Sequence, residues 1–180
     1  MAFLFESFHG WKKYSADQQM TLAEVVIEYE CHQKGRTRDE IWAGLENAWN
    51  VMKEAVHTGL EEDMTSRSGM INNGAKKVFR HHQTVLSKEF QNLISRALAA
   101  KEVNSCMGRI VAAPTAGASG IMPGVLYTLQ EIHNVEDRKI LEAMLVSAGI
   151  ALIIEQRASV SGAVGGCQAE TGAGAAMASA

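Results

Sequence analysis

At 180 residues and 47% hydrophobic, the chain can bury a sizeable core and reads as one domain, residues 1–180, with a possible small extension over residues 1–20. Seventeen Lys and Arg against twenty Asp and Glu leave a net charge of −3, which gives no reason to expect nucleic acid or an anionic membrane surface as a partner. Three cysteines, Cys31, Cys106 and Cys167, are odd in number and widely spaced, which does not look like a secreted disulfide framework and favours a reducing cytoplasm.

The N-terminal MAFLFESFHGWKK has no basic start followed by a long apolar stretch and a small-residue cleavage site, so no signal peptide is expected. In TLAEVVIEYECHQKG, Thr21 and Glu24 have the spacing of a capping box, Leu22, Val25, Val26 and Tyr29 fall on one helical face, and Gly35 ends the pattern. Cys31 follows that face loosely and reads as a packed thiol. A second capping box, Thr37 with Glu40, opens a helix in which Ile41, Leu45, Ala48, Met52, Ala55 and Val56 keep the period up to Gly59. Trp42, Trp49 and Met52 read as core or subunit contacts, and His57 as an exposed cation near the helix end.

Periodicity weakens between Gly59 and Val85. Ser66, Arg67, Ser68, Gly69, Asn72, Asn73 and Gly74 concentrate turn formers in a connection far longer than the usual 4 to 6 residues or so, which suggests a functional loop. His81 and His82 are adjacent and point apart on a helix, so they are assigned no metal. A helix is expected from Leu86 to Ala100, then a small-residue segment, then the helix GVLYTLQEI, then VEDRKILEAMLVSAGIALIIEQRA. The most apolar run, Ala143 to Ile154, is well short of the roughly twenty residues a membrane span needs and reads as a buried helix. No strand signal exceeds GRIVAA, and the chain is expected to be all-α, with Gly/Ala-rich inner helices packed by amphipathic outer ones.

Two small-residue segments carry the chemistry. Thr115, Gly117, Ser119, Gly120 and Gly124 place amides and hydroxyls at a helix start, with Pro123 suited to the first turn. Unpaired N–H groups and a partial positive charge there favour a carboxylate or phosphate. Neither a Walker P-loop nor a Rossmann fingerprint surrounds them. Anion cradle and tight helix packing stay open on these residues alone. In the second segment Cys167 follows Gly165 and Gly166; a thiol near a helix start suits a nucleophile or a metal ligand, and both stay open.

MGRIVAAPTAGASGIMPGVL (Met107 to Leu126) and ASVSGAVGGCQAETGAGAAMA (Ala158 to Ala178) closely resemble two signature stretches of the α chain of bacterial iron-sulfur-dependent L-serine dehydratase, and SRSGMINNGAKK (Ser66 to Lys77) resembles a third. The resemblance extends from about Thr21 to the end. It implies an all-helical catalytic unit with an oxygen-sensitive 4Fe-4S cluster held by three cysteines, whose open iron acts as a Lewis acid on the hydroxyl of L-serine, and no pyridoxal phosphate. It further implies a separately encoded β chain as partner and an oligomeric enzyme. Under it, Cys167 is the first cluster ligand, Thr115, Gly117 and Ser119 receive the substrate carboxylate, and Ser66 and Ser68 belong to the same substrate site. Lys76, Lys77 and His57 are chemical candidates for the base, and none is assigned.

The family's other two cluster cysteines have no counterpart before Ala180, and ETGAGAAMASA ends inside an alanine-rich helical pattern. The chain therefore reads as the N-terminal part of an α chain, not expected to hold a full cluster or turn over serine alone. Three rivals stand beside this reading: a cluster-dependent lyase acting on cysteine, a pyridoxal phosphate enzyme, and a non-catalytic helical module that docks a β chain.

Overall fold

A computed structural model describes residues 5–82 and 85–180. The first four residues of the apolar N-terminal stretch, and Gln83 and Thr84 at the end of the Gly59–Val85 connection, lie outside the described residues. Among the described residues the chain is all-α, with eight helices and a single isolated bridge between Thr65 and Asn72. The helices are α1 (Phe8–Asp17), α2 (Leu22–Lys34), α3 (Arg38–Glu61), α4 (Gly74–Arg80), α5 (Lys88–Ser105), α6 (Ile121–His133), α7 (Asp137–Arg157) and α8 (Gly162–Ala178). No helix among them is long and apolar enough to cross a membrane.

Local chemistry places the helix ends. Thr21 Oγ1 accepts the Glu24 amide at 3.1 Å while Glu24 Oε2 accepts the Thr21 amide at 2.9 Å, and Gly35 closes α2 in the left-handed conformation. Thr37 and Glu40 repeat the reciprocal pair at the start of α3, with distances of 3.2 and 2.8 Å. Each box satisfies two of the amides that a helix start leaves unpaired, a contribution of about 1 kcal/mol apiece. Hydrogen bonds from the threonine amide, and then from its hydroxyl, hold both glutamates below the ordinary carboxylate range.

The elements fall into two compact units. The first comprises residues 1–47 and 137–180 and is built on Phe5, Trp11, Val25, Val26, Ile27, Ile41 and Leu145. Here α2 packs against α1 and α7, and α7 against α8. Trp11 carries α1 into this core, fully buried, with Phe5 tilted against it at 5.3 Å between ring centroids. Gly149 of α7 makes room for the indole, since a Cβ there would stand 2.4 Å from Trp11 Cη2. Truncating so large a buried ring costs about 3–5 kcal/mol, so α1 is an integral part of this unit. Ser147 Oγ donates to Met177 O at 2.7 Å and ties α7 to α8.

The second unit, residues 48–136, gathers Ala55, Val56, Leu60, Ala75, Ala99, Ala100 and Val103. Trp49 and Met52 are buried, in keeping with a core role, whereas His57 is exposed. In this unit α5 is the central element, packed against both α4 and α6. Small residues let it be approached closely: a Cβ on Gly59 would meet Ala99 O at 2.4 Å, and one on Gly120 would meet Ala97 O at 2.1 Å. Arg96 is buried on α5 with its charge satisfied, donating to Thr128 Oγ1 at 3.0 Å and Glu131 Oε2 at 2.6 Å and lying over the Tyr127 ring.

Candidate functional site

All five residues expected to bind substrate belong to the second unit, and Cys167 belongs to the first. Ser66 and Ser68 lie on a loop that folds back on itself. The Ser66 amide donates to Ile71 O at 3.0 Å, the Ile71 amide to Ser66 Oγ at 3.1 Å, and the Asn73 amide to Met64 O at 3.1 Å. Within this loop the Ser66 and Ser68 hydroxyls stand 3.2 Å apart; Ser66 is buried and Ser68 exposed. The turn-rich composition therefore marks a compact, internally bonded loop, which ends in the short helix α4.

Asn73 joins that loop to α4 in a left-handed conformation, φ +52°, and its side chain accepts the Met64 amide at 2.7 Å instead of capping α4. Glu102, on α5, takes the capping role: its Oε1 accepts the Gly74 and Ala75 amides at 2.8 and 3.2 Å. Lys76, buried on α4, reaches Asp63 Oδ1 at 2.8 Å, and Lys77 donates to Asn72 O at 2.9 Å. Asp63, Asn73, Lys76, Lys77 and Arg80 line an open cleft of about 350 Å³, a size within the usual range for small-ligand sites. The hydrogen bond and charge of Lys76, and then Arg80, hold the Asp63 carboxyl below its ordinary value. Cations thus outnumber the single carboxylate, which suits an anionic ligand.

The second loop precedes α6, which starts at Ile121, earlier than the sequence pattern alone suggests, with Pro123 still inside its first turn. Thr115 Oγ1 accepts the Ala118 amide at 3.3 Å, the Ser119 amide donates to Ala116 O at 3.4 Å, and the Ile121 amide to Ala118 O at 3.0 Å. Part of the donor set expected for an anion therefore serves the loop's own turns. Ser119 is different: it is 1% exposed, and its Oγ is buried with no hydrogen-bond partner. A buried hydroxyl left unsatisfied costs about 1–3 kcal/mol, so its retention calls for a reason beyond stability. Gly117 lies exposed on the outer side of the same turn. Its carbonyl accepts from Lys101 Nζ at 2.9 Å, and the neighbouring Ala116 carbonyl from Asn104 Nδ2 at 3.0 Å.

Cys167 lies in α8, where Ser161 caps the first amides and Gly166 leaves the helix at φ +80°, ψ 169°. Two helical pieces result, and Cys167 opens the second with an exposed thiol. This placement fits a single metal ligand presented outward from a helix start. A cluster needs several thiolates, and no group of three or more Cys, His, Asp or Glu suited to a metal occurs among the described residues. Among the described residues Cys167 therefore stands without the further ligands that a cluster would need.

Sequence reasoning passed over Glu102, Lys101, Asn104 and Asp63. Glu102 was detectable in principle, as a carboxylate set among the buried Ala99, Ala100 and Val103 on one side of α5.

A family model described as serine dehydratase alpha chain matches residues 17–180. The Bacillus subtilis protein named "Probable L-serine dehydratase, alpha chain" is 32% identical over 167 residues, covering 91% of this chain and 55% of that relative. The L-serine dehydratase alpha chain of Peptoniphilus asaccharolyticus is 34% identical over 167 residues, 91% of this chain and 57% of its own length. An L-serine dehydratase of Haemophilus influenzae is 34% identical over 176 residues, with 93% and 38% covered. The chain thus spans little more than half the length of the first two relatives. No solved structure matches it significantly. With the match running through the Ser66, Thr115 and Cys167 segments alike, the chain belongs to the serine dehydratase alpha chain family.

Proposed function

We propose that this chain forms the substrate-binding part of an L-serine dehydratase α chain, which converts L-serine to pyruvate and ammonia. Loss of the α-proton and the β-hydroxyl gives an aminoacrylate and water; tautomerisation to the imine and hydrolysis then release ammonia and pyruvate. Family membership supports the reaction class, and the observation that carries the site is the buried, partnerless hydroxyl of Ser119 in the loop before α6. That loop, from Thr115 through Gly117 to Ser119, receives the substrate carboxylate. Ser66 and Ser68 bear the hydroxyl pair of the companion loop. Lys76, Lys77 and Arg80 add positive charge around the cleft beside it, which favours the anionic end of an amino acid.

In the same reading Cys167 contributes one thiolate to a 4Fe-4S cluster, with the remaining ligands supplied elsewhere in the complete enzyme, and pyridoxal phosphate plays no part. A β chain is the partner, the enzyme is oligomeric, and it works in the cytoplasm.

The test is Ser119→Ala in the active enzyme containing this chain. Removing an unsatisfied buried hydroxyl leaves the fold as stable or slightly more so, while KM for L-serine rises about tenfold. An unchanged KM overturns the carboxylate assignment. For the cluster, Cys167→Ala should abolish oxygen-bleachable absorbance and lower iron content, while leaving the thermal stability of the iron-free chain unchanged, because the thiol is exposed. Full iron content in that variant removes Cys167 from the ligand set.

A further inference from the structure

We propose that the C-terminal turns of α5 form a brace that sets the two substrate loops at a fixed spacing, with Glu102 as its positioning residue. Three side chains within four residues do the holding. Glu102 Oε1 accepts the Gly74 and Ala75 amides, at the junction between the Ser66 loop and α4. Lys101 and Asn104, one helical turn apart on another side of α5, donate to the Gly117 and Ala116 carbonyls of the Thr115 loop. One helix end therefore holds both loops through side chain to backbone bonds, which fix the backbone whatever the loop side chains do.

Ordinary helix capping does not account for Glu102. A short helix is capped most simply by the residue at its own start, and Asn73, which has the right chemistry, is turned left-handed and bonded to Met64. The carboxylate used instead comes from 28 residues away and is only 5% exposed. Burying a carboxylate is costly unless every oxygen is satisfied, and Glu102 Oε2 is buried without a partner. Gly74 makes the approach possible, since a Cβ there would stand 2.8 Å from Glu102 Oε1. A residue that stabilises so inefficiently is better explained by where it holds the backbone than by how much it stabilises. The role in binding rests on the serine dehydratase reading; the mechanical coupling of the loops does not.

Amide hydrogen exchange on Glu102→Ala separates the two. A brace predicts exchange about tenfold faster at Gly74 and Ala75, together with faster exchange at Ala118 and Ser119 in the other loop, because a loosened α5 end no longer positions Lys101 and Asn104. A mere cap affects Gly74 and Ala75 alone, and that outcome overturns the proposal. Glu102→Gln keeps a carbonyl oxygen to accept both amides and restores protection in both loops to within about threefold; it also serves if the alanine variant does not fold. In the active enzyme, Glu102→Ala raises KM for L-serine about tenfold and Glu102→Gln recovers most of that loss. Coupled exchange without a KM effect sinks the positioning role; an enzyme inert towards serine with coupled exchange sinks only the substrate reading.

Discussion

Two segments of this chain share a composition of glycine, alanine and serine, yet the fold uses them in opposite ways. At the start of α6, two glycines press against α5: Cβ atoms on Gly120 and Gly124 would meet Ala97 at 2.1 and 2.8 Å, and Ser119, immediately before them, is sealed from solvent. Around Cys167, Gly165, Gly166 and Gln168 are exposed, and Gly166 serves for its positive φ, with nothing within 4 Å of a Cβ. Small residues allow close approach to another helix in the first segment; in the second, Gly166 supplies a backbone break, and Gly162 and Gly165 are crowded only by Glu170 and Ala169 of α8 itself. The proposed functional side chains differ accordingly, one hydroxyl buried, one thiol presented outward.

That contrast yields a graded set of expectations for urea unfolding of the chain. Gly120→Ala should be the most damaging, by about 3 kcal/mol, because the new Cβ meets a backbone oxygen that cannot move aside. Equal stability to the parent would mean that α5 and α6 do not pack as closely as described. Gly166→Ala should cost about 1–3 kcal/mol through backbone strain alone, since L-residues avoid φ +80° with ψ 169°. Repeating both in the active enzyme sharpens the comparison: under the proposed function, the first should impair substrate binding and the second iron retention. Gly172→Ala, within α8 and with nothing near its Cβ, should have the opposite sign, a gain of about 0.5–1 kcal/mol in helix stability. A loss there would show that this glycine has a packing partner.

The smallest effect concerns pH. The folded pKa of Asp63 is depressed, chiefly by its hydrogen bond from Lys76, so the Lys76–Asp63 pair contributes stability above the unfolded value near 3.8 and loses it as pH falls through the lower folded value. Asp63 is largely exposed, so solvent screening keeps this contribution small. Asp63→Asn should therefore be slightly less stable than the parent at neutral pH, the difference vanishing well below pH 4 or so. A difference that persists in acid would locate the effect of Asp63 in something other than its charge.

The legible part of this protein is what neighbouring residues decide. Thr21 with Glu24, Thr37 with Glu40 and Gly35 mark helix ends because capping requires only residues within one turn. The signature strings around Ser66, Thr115 and Cys167 similarly carry the family in their local order, as its match across residues 17–180 bears out. Other features were illegible because they join residues far apart. Trp11 enters a core with Gly149, the Gly74 amide finds Glu102, and Asp63 finds Lys76 only once the chain has folded.

Short-range spacing and ordered motifs thus set most of the helices, the capped ends of α2 and α3, the all-α class and the family, but not α1, α4 or the start of α6. Only the tertiary structure decided which small residues are pressed against a neighbour and which are open, and that Thr115 Oγ1 accepts within its own loop while Ser119 keeps an unpartnered hydroxyl. Burial and hydrogen-bond satisfaction depend on what packs from elsewhere in the chain, and local spacing carries no record of that.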